Sequence, residues 1–197
     1  VDLVLCIDVS GSMGTEATLK GSSGETIHNG ISVLSLTVAA AKTIISSGNY
    51  ALQATFQDVF AFTNEGNKEM VWALPNDSGS GNKLMALQSN TYPPTYPRPY
   101  SNNAVWAART YMFDSFVDSF EAGDERKNSI IQQWNTADGT PQQAYGFDQS
   151  LPAKFPFDPN SLAWRSGNDF PVVRYADVLL SAAEAINEVS GPTQEAI

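Results

Sequence analysis

The tightest constraint on the chain lies near its end. Val172, Tyr175, Ala176, Leu179, Ala182, Ala183, Ile186 and Val189 recur at i, i+3, i+4, i+7 spacing, and Gly191-Pro192 closes the run. That pattern predicts an amphipathic helix over 172–189 whose apolar stripe must be covered. Ala176 and Ala183 fall two turns apart on one side. Small side chains there let a second helix approach closely, as in paired-helix repeats of the tetratricopeptide kind. A further helix is predicted from Ile31 to Ser46, on Ile31, Leu34, Val38, Ala41 and Ile45, with Gly48 as its stop. A third is predicted around Phe113, Phe116, Val117 and Phe120, with acids on its other face and Gly123 ending it.

The intervening segments are irregular. Residues 1–8 form an apolar run expected to be a buried strand, and Met70–Leu74 a brief extended piece. Residues 9–30 and 134–168, rich in Gly, Ser, Asn and Asp, are expected to be loops. Least regular of all is 75–105, which contains Tyr92-Pro93-Pro94-Thr95-Tyr96-Pro97-Arg98-Pro99-Tyr100. Closely spaced prolines can neither continue a helix nor donate to a central strand. Disordered tracts are poor in aromatics, so the embedded tyrosines argue for a functional loop.

Charge and composition exclude several classes. The net charge of −10, with no Lys/Arg cluster, repels a phosphate backbone, so no nucleic-acid partner is expected. One cysteine, Cys6, allows no internal disulfide and no Cys-based zinc site; in its apolar setting it reads as a buried, inert thiol. The single histidine, His28, reads as a solvent-facing loop residue. Without a His or Cys candidate the common nucleophile–base pairs cannot be assembled, and no two carboxylates stand out as a glycosidase pair. No enzyme is expected. No apolar stretch reaches membrane-spanning length. The start at Val1 and the stop just past Pro192 lead us to expect a fragment cut at both ends.

Two motif sets carry functional information. Val1 to Ile7 lead into Asp8-Val9-Ser10-Gly11-Ser12. This D-x-S-x-S pattern after an apolar strand resembles the metal-ion-dependent adhesion site of von Willebrand A domains, where Asp8, Ser10 and Ser12 would face a Mg²⁺ ion. Oxygen ligands suit such a hard cation. The further Thr and Asp that the family needs are missing; Thr136-Ala137-Asp138-Gly139 is only an echo, because no buried strand precedes it. Three ligands on one loop bind weakly, so the expectation is an incomplete strand-loop-helix piece of α/β type over residues 1–45.

The second set spans most of the remainder. Ala40 to Leu52 with Gly48-Asn49-Tyr50, then Phe60, Asn64-Glu65 and Lys68-Glu69-Met70-Val71-Trp72, come first. Phe113 to Arg126 with Gly123-Asp124-Glu125-Arg126, and Asn168-Asp169-Phe170-Pro171-Val172-Val173-Arg174-Tyr175, follow in order. Together, from about residue 38, they resemble the C-terminal portion of SusD/RagB outer-membrane nutrient-binding proteins. The two resemblances meet inside the helix at Ala39 to Ser46, so the chain reads as a fusion of two parents.

That resemblance implies a mainly α fold over 46–197: a tetratricopeptide-like platform bearing long irregular loops. It implies non-catalytic binding of a glycan or other nutrient, without a cofactor, beside a TonB-dependent transporter. It also implies an outer-membrane, cell-surface lipoprotein, although the lipid-bearing cysteine is not in this sequence. A pyranose stacks its C–H face on an aromatic ring while its hydroxyls seek polar partners, and tyrosine and tryptophan provide stiff amphipathic surfaces. The expected contact group is therefore Tyr92, Tyr96, Arg98, Tyr100, Asn102 and Trp106. Alternatively these rings bury themselves and pin the loop. Trp72, Trp134 and Trp164 are expected to be structural, Asp124 and Arg126 to fix a turn, and Arg174 to form a local pair or cap.

Overall fold

The computed structural model describes residues 16–20, 26–77, 86–106, 108–143, 149–162 and 165–196. They form two compact units. One draws on Val1–Leu52 and Val173–Ile197, the other on Gln53–Val172. Within the first unit, helices from the two ends of the sequence pack on each other.

In the first unit, β1 (Glu16–Lys20) and β2 (Thr26–Ser32) form an antiparallel hairpin with Leu19 opposite Ile27 and Thr18 opposite His28. This corrects the loop expected over 9–30. Thr18, Thr26, Ile27 and Ile31 are β-branched and suit a pleated surface, and the Gly-Ser-rich stretch joins the two strands. His28 consequently lies in a strand. An antiparallel hairpin ahead of the helix is also not the strand-loop-helix of a von Willebrand A domain. Cys6 and the expected metal ligands Asp8, Ser10 and Ser12 lie outside the described residues.

The helix α1 (Val33–Ser46) starts at Ser32, whose hydroxyl accepts from the Ser35 amide at 3.1 Å, and ends before Gly48 at φ +65°. Its partner is α5 (Tyr175–Ser190). There the Arg174 amide donates to the Asp177 carboxylate at 2.8 Å, tying the first turn back to the residue ahead of it. Ala41 of α1 and Val178, Ala182, Ala185 and Ile186 of α5 are buried. Ala41, Ala182 and Ala185 are the buried small residues of this pair, and the expected Ala176 and Ala183 are half-buried.

The second unit opens with α2 (Phe56–Val59) and β3 (Met70–Leu74), the latter paired with β9 (Phe170–Arg174). Then come α3 (Leu87–Thr91), β4 (Met112–Phe113) and α4 (Asp114–Asp118). A 3-10 turn, Glu125–Ser129, leads into β5 (Ile130–Ile131), β6 (Gln133–Asn135), β7 (Pro141–Gln143) and β8 (Gln149–Pro152). Strand β8 lies between β4 and β5, and among the described residues β6 pairs with β7. The expectation of a mainly α fold is corrected here: three helices of four or five residues are interspersed with short strands. The predicted helix around Phe113–Phe120 shrinks to α4 because Phe113 is drawn into the ladder opposite Gln149. Phe113 and Phe116 are left exposed.

Two apolar clusters anchor this unit. Tyr92, Ala108, Leu151 and Phe157 form one; Val59, Phe60 and Phe155 form the other. A buried amide network ties the distant loops together. Asn64 donates to the Asp169 carbonyl at 3.1 Å and accepts from the Asp169 amide at 3.0 Å. Asn168 donates to the Phe60 carbonyl at 3.1 Å and accepts from Gln88 at 3.0 Å and from the Ser166 hydroxyl. The Asn76 amide donates to the Asp169 carboxylate at 2.8 Å. Irregular backbone must find hydrogen-bond partners outside regular ladders, and these side chains provide them.

Candidate functional site

The proline–tyrosine loop leaves α3 through Tyr92, which is 3 % exposed. Its ring stacks on Phe157 at 4.4 Å and meets Tyr96 at 4.6 Å. Burial raises the Tyr92 phenol far above its ordinary value, with the neighbouring Tyr96 adding to the effect. Tyr92 is thus a peg in the core and is withdrawn from the expected contact group. The alternative role, pinning the loop, is the one it fills.

Tyr96 is half-buried, its ring 5.8 Å from Trp134 and 6.1 Å from Phe157, and burial raises its phenol too. A turn formed by the Tyr96 amide and the Pro93 carbonyl, 2.9 Å apart, sets its direction. Beyond it, Arg98 donates through Nη1 to the Asn103 carbonyl at 3.1 Å, and Tyr100 stands 38 % exposed. Asn102 donates to the carbonyls of Pro159 and Ser161 at 2.9 and 2.7 Å, and buried Asn103 donates to the Asp158 carbonyl at 2.9 Å. Asp158 in turn accepts from the amides of Asn160 and Gly167. The loop is held at both ends.

Facing it is the turn between β6 and β7. Trp134 lies opposite Gln142 and Asn135 opposite Pro141. The Thr136 amide donates to the Thr140 carbonyl, and the Gly139 amide to the Thr136 carbonyl, both at 2.9 Å. Gly139 has φ +85°, a conformation that glycine adopts without steric cost. The Thr136 hydroxyl donates to Asp138 Oδ1, and the Thr140 amide reaches the same oxygen at 3.2 Å. These bonds, the hydroxyl first, hold the Asp138 carboxyl below the usual carboxylate range. Asp138 is an exposed, ionised group on the rim.

Loop and turn together frame an open depression of about 730 Å³, lined by Tyr96, Arg98, Tyr100, Thr136, Asp138 and Gln142 among others. Three of the expected residues, Tyr96, Arg98 and Tyr100, come together there. Asn102 braces the loop just outside, and Trp106, 46 % exposed, does not line the depression. The turn was not anticipated as part of the site. Its signal was the Asp138-Gly139 pair between Gln133-Trp134-Asn135 and Pro141-Gln142-Gln143, a hairpin pattern rather than a metal loop.

Another depression, about 600 Å³, lies by α4 and includes Phe116, Phe120, Asp124 and Arg126. There Arg126 is clasped to Asp124 (Nε to Oδ1, 2.9 Å) and lies over the Phe120 ring at 5.1 Å. The Arg126 hydrogen bond draws the Asp124 carboxyl down. Both charges are engaged with each other, consistent with a turn-fixing pair. Among the described residues, no three His, Cys, Asp or Glu side chains gather as a metal site, and no helix is long and apolar enough to cross a membrane.

Comparison with known proteins gives this geometry a context. The SusD family model matches residues 133–197. Several solved structures are similar over most of the chain. Surface glycan-binding protein A from Bacteroides thetaiotaomicron aligns with a TM-score of 0.65 at 20% identity, covering 82% of this chain and 40% of that one. The same protein in complex with laminarihexaose aligns at 0.63 and 20% identity, covering 83% and 40%. A SusD superfamily protein from Parabacteroides distasonis aligns at 0.66 and 17% identity, covering 84% and 36%. The fold is therefore that of SusD-like proteins, and those named by activity here are surface glycan-binding proteins. The chain spans about two-fifths or less of the length of these structures. No curated protein matches it. A von Willebrand A relationship finds no support among these matches.

Proposed function

We propose that the chain binds an oligosaccharide, without catalysis, in the depression between the proline–tyrosine loop and the β6–β7 turn. The observation that carries this reading is the lining itself: the Tyr96 and Tyr100 rings beside a guanidinium, a carboxylate, three threonines, a serine and an amide. Aromatic faces accept the apolar side of a pyranose, and the polar groups match hydroxyls that both donate and accept. The volume falls within the range of about 300–1,000 Å³ usual for ligand sites. Glycan binding by the similar structures supports the same reading. By the same likeness we place the parent protein at the outer-membrane surface, lipid-anchored and working with a TonB-dependent transporter. No cofactor is required.

Calorimetric titration against laminarihexaose, a xylogluco-oligosaccharide and a wider neutral panel tests the assignment. Tyr100→Ala should weaken binding about tenfold or more, equivalent to about 1.4 kcal/mol, with an unchanged melting temperature. Recovered oligosaccharide should be intact. A folded protein that binds nothing in the panel refutes the reading.

A further inference from the structure

The strands of the β6–β7 hairpin frame a second depression that the reading above leaves unused. It measures about 460 Å³ and is lined by Gln133, Trp134, Asn135, Pro141, Gln142 and Gln143. Four of these six are primary amides and none is charged. Strand alternation exposes Gln133, Asn135, Pro141 and Gln143, while Trp134 and Gln142 are half-buried on the other side. Register sets Gln133 directly opposite Gln143, so two carboxamides, each both donor and acceptor, stand side by side. The Trp134 indole N–H is buried with no hydrogen-bond partner among the described residues.

Gln142 lines both depressions, so they adjoin at that residue of β7. At a rise of about 3.3 Å per residue, Gln143 stands roughly 10 Å along the strand from Thr140, beyond the reach of one pyranose ring. We infer that the hairpin strands form a second glycan subsite, and that the ligand is a neutral oligosaccharide long enough to occupy both depressions. This rests on the first depression being a glycan site. Neutrality follows from the two linings: the amides of the second satisfy hydroxyls and no cation lines it, while in the first Arg98 Nη1 already donates to the Asn103 carbonyl and the Asp138 carboxylate opposes an anion such as a uronate or sulfate.

Calorimetry with laminaribiose and laminarihexaose separates the two claims. The wild type should bind the hexasaccharide roughly tenfold or more tightly than the disaccharide, as expected when two or more hydrogen bonds are added. Gln133→Ala/Gln143→Ala should erase that gain and leave disaccharide affinity unchanged, whereas Tyr100→Ala weakens both ligands. Melting curves of the double variant should overlay the wild type, since both glutamines are exposed. Equal affinity for both lengths in the wild type, or a length gain that survives in the double variant, overturns the second subsite alone. An equal gain with oligogalacturonates overturns the neutral preference. Failure of the wild type to bind any oligosaccharide overturns the glycan reading and this inference together.

Discussion

Replacing Asn168 by alanine should be among the most damaging single changes available in the second unit. Its side chain is fully buried. It donates to the Phe60 carbonyl at 3.1 Å and accepts from Gln88 at 3.0 Å and from the Ser166 hydroxyl. Three hydrogen bonds at about 1 kcal/mol each give about 3 kcal/mol, and withdrawing partners from buried groups adds about 1–2 kcal/mol. The expected loss of about 4 kcal/mol is a large part of the roughly 5–15 kcal/mol that stabilises a typical domain. Equilibrium urea unfolding measures it directly. With a slope near 2 kcal/mol/M, the midpoint should fall by about 2 M. Asn102→Ala is the control: it also removes two bonds to carbonyls, but at the surface, where water replaces them and the cost stays near or below about 1 kcal/mol. If Asn168→Ala unfolds within about 1 kcal/mol of the wild type, the amide network does not hold the loops, and the account of this unit's stability is wrong.

Two further outcomes follow from the site. Tyr92→Ala should cost about 3–5 kcal/mol, as for other large aromatic truncations in a core, and lower the melting temperature and glycan affinity together; Tyr100→Ala should affect affinity alone. The Asp138 carboxyl should titrate below its unfolded value of 3.8, read from carboxyl carbon-13 shifts. Because the folded value is depressed, the stabilising contribution is complete above the unfolded value and disappears as pH falls through the folded one. A midpoint at or above 3.8 would contradict the Thr136–Asp138 clasp.

Much of the helical part was legible because periodicity reports burial. Ala182 and Ile186 of the predicted stripe are buried, whereas Val172 is taken into β9 and Val189 is exposed, and Met70–Leu74 is the strand its composition suggests. The site was legible in part. Tyrosines among prolines marked the loop, yet nothing local distinguishes Tyr92, which packs on Phe157, from Tyr100, which faces solvent; partners far along the chain decide that. The hairpin at 133–143 was missed because glutamine and asparagine are weak strand formers, and its pairing depends on the Asp138-Gly139 turn. The hairpin at 16–32 was hidden by the glycines and serines between its strands. Asn64 and Asn168 look like loop residues in sequence and prove to be interior, since a polar residue's burial is set by the carbonyls it meets.

The stack of Tyr50 on Tyr175, with ring centroids 6.3 Å apart, closes a wide circuit: the chain departs after the first helix and comes back just where the last begins. A segment tethered in this way can be lengthened at small entropic expense, about 0.6 kcal/mol for each doubling. Gln53–Val172 can therefore take up insertions at little cost while α1 and α5 stay as they are.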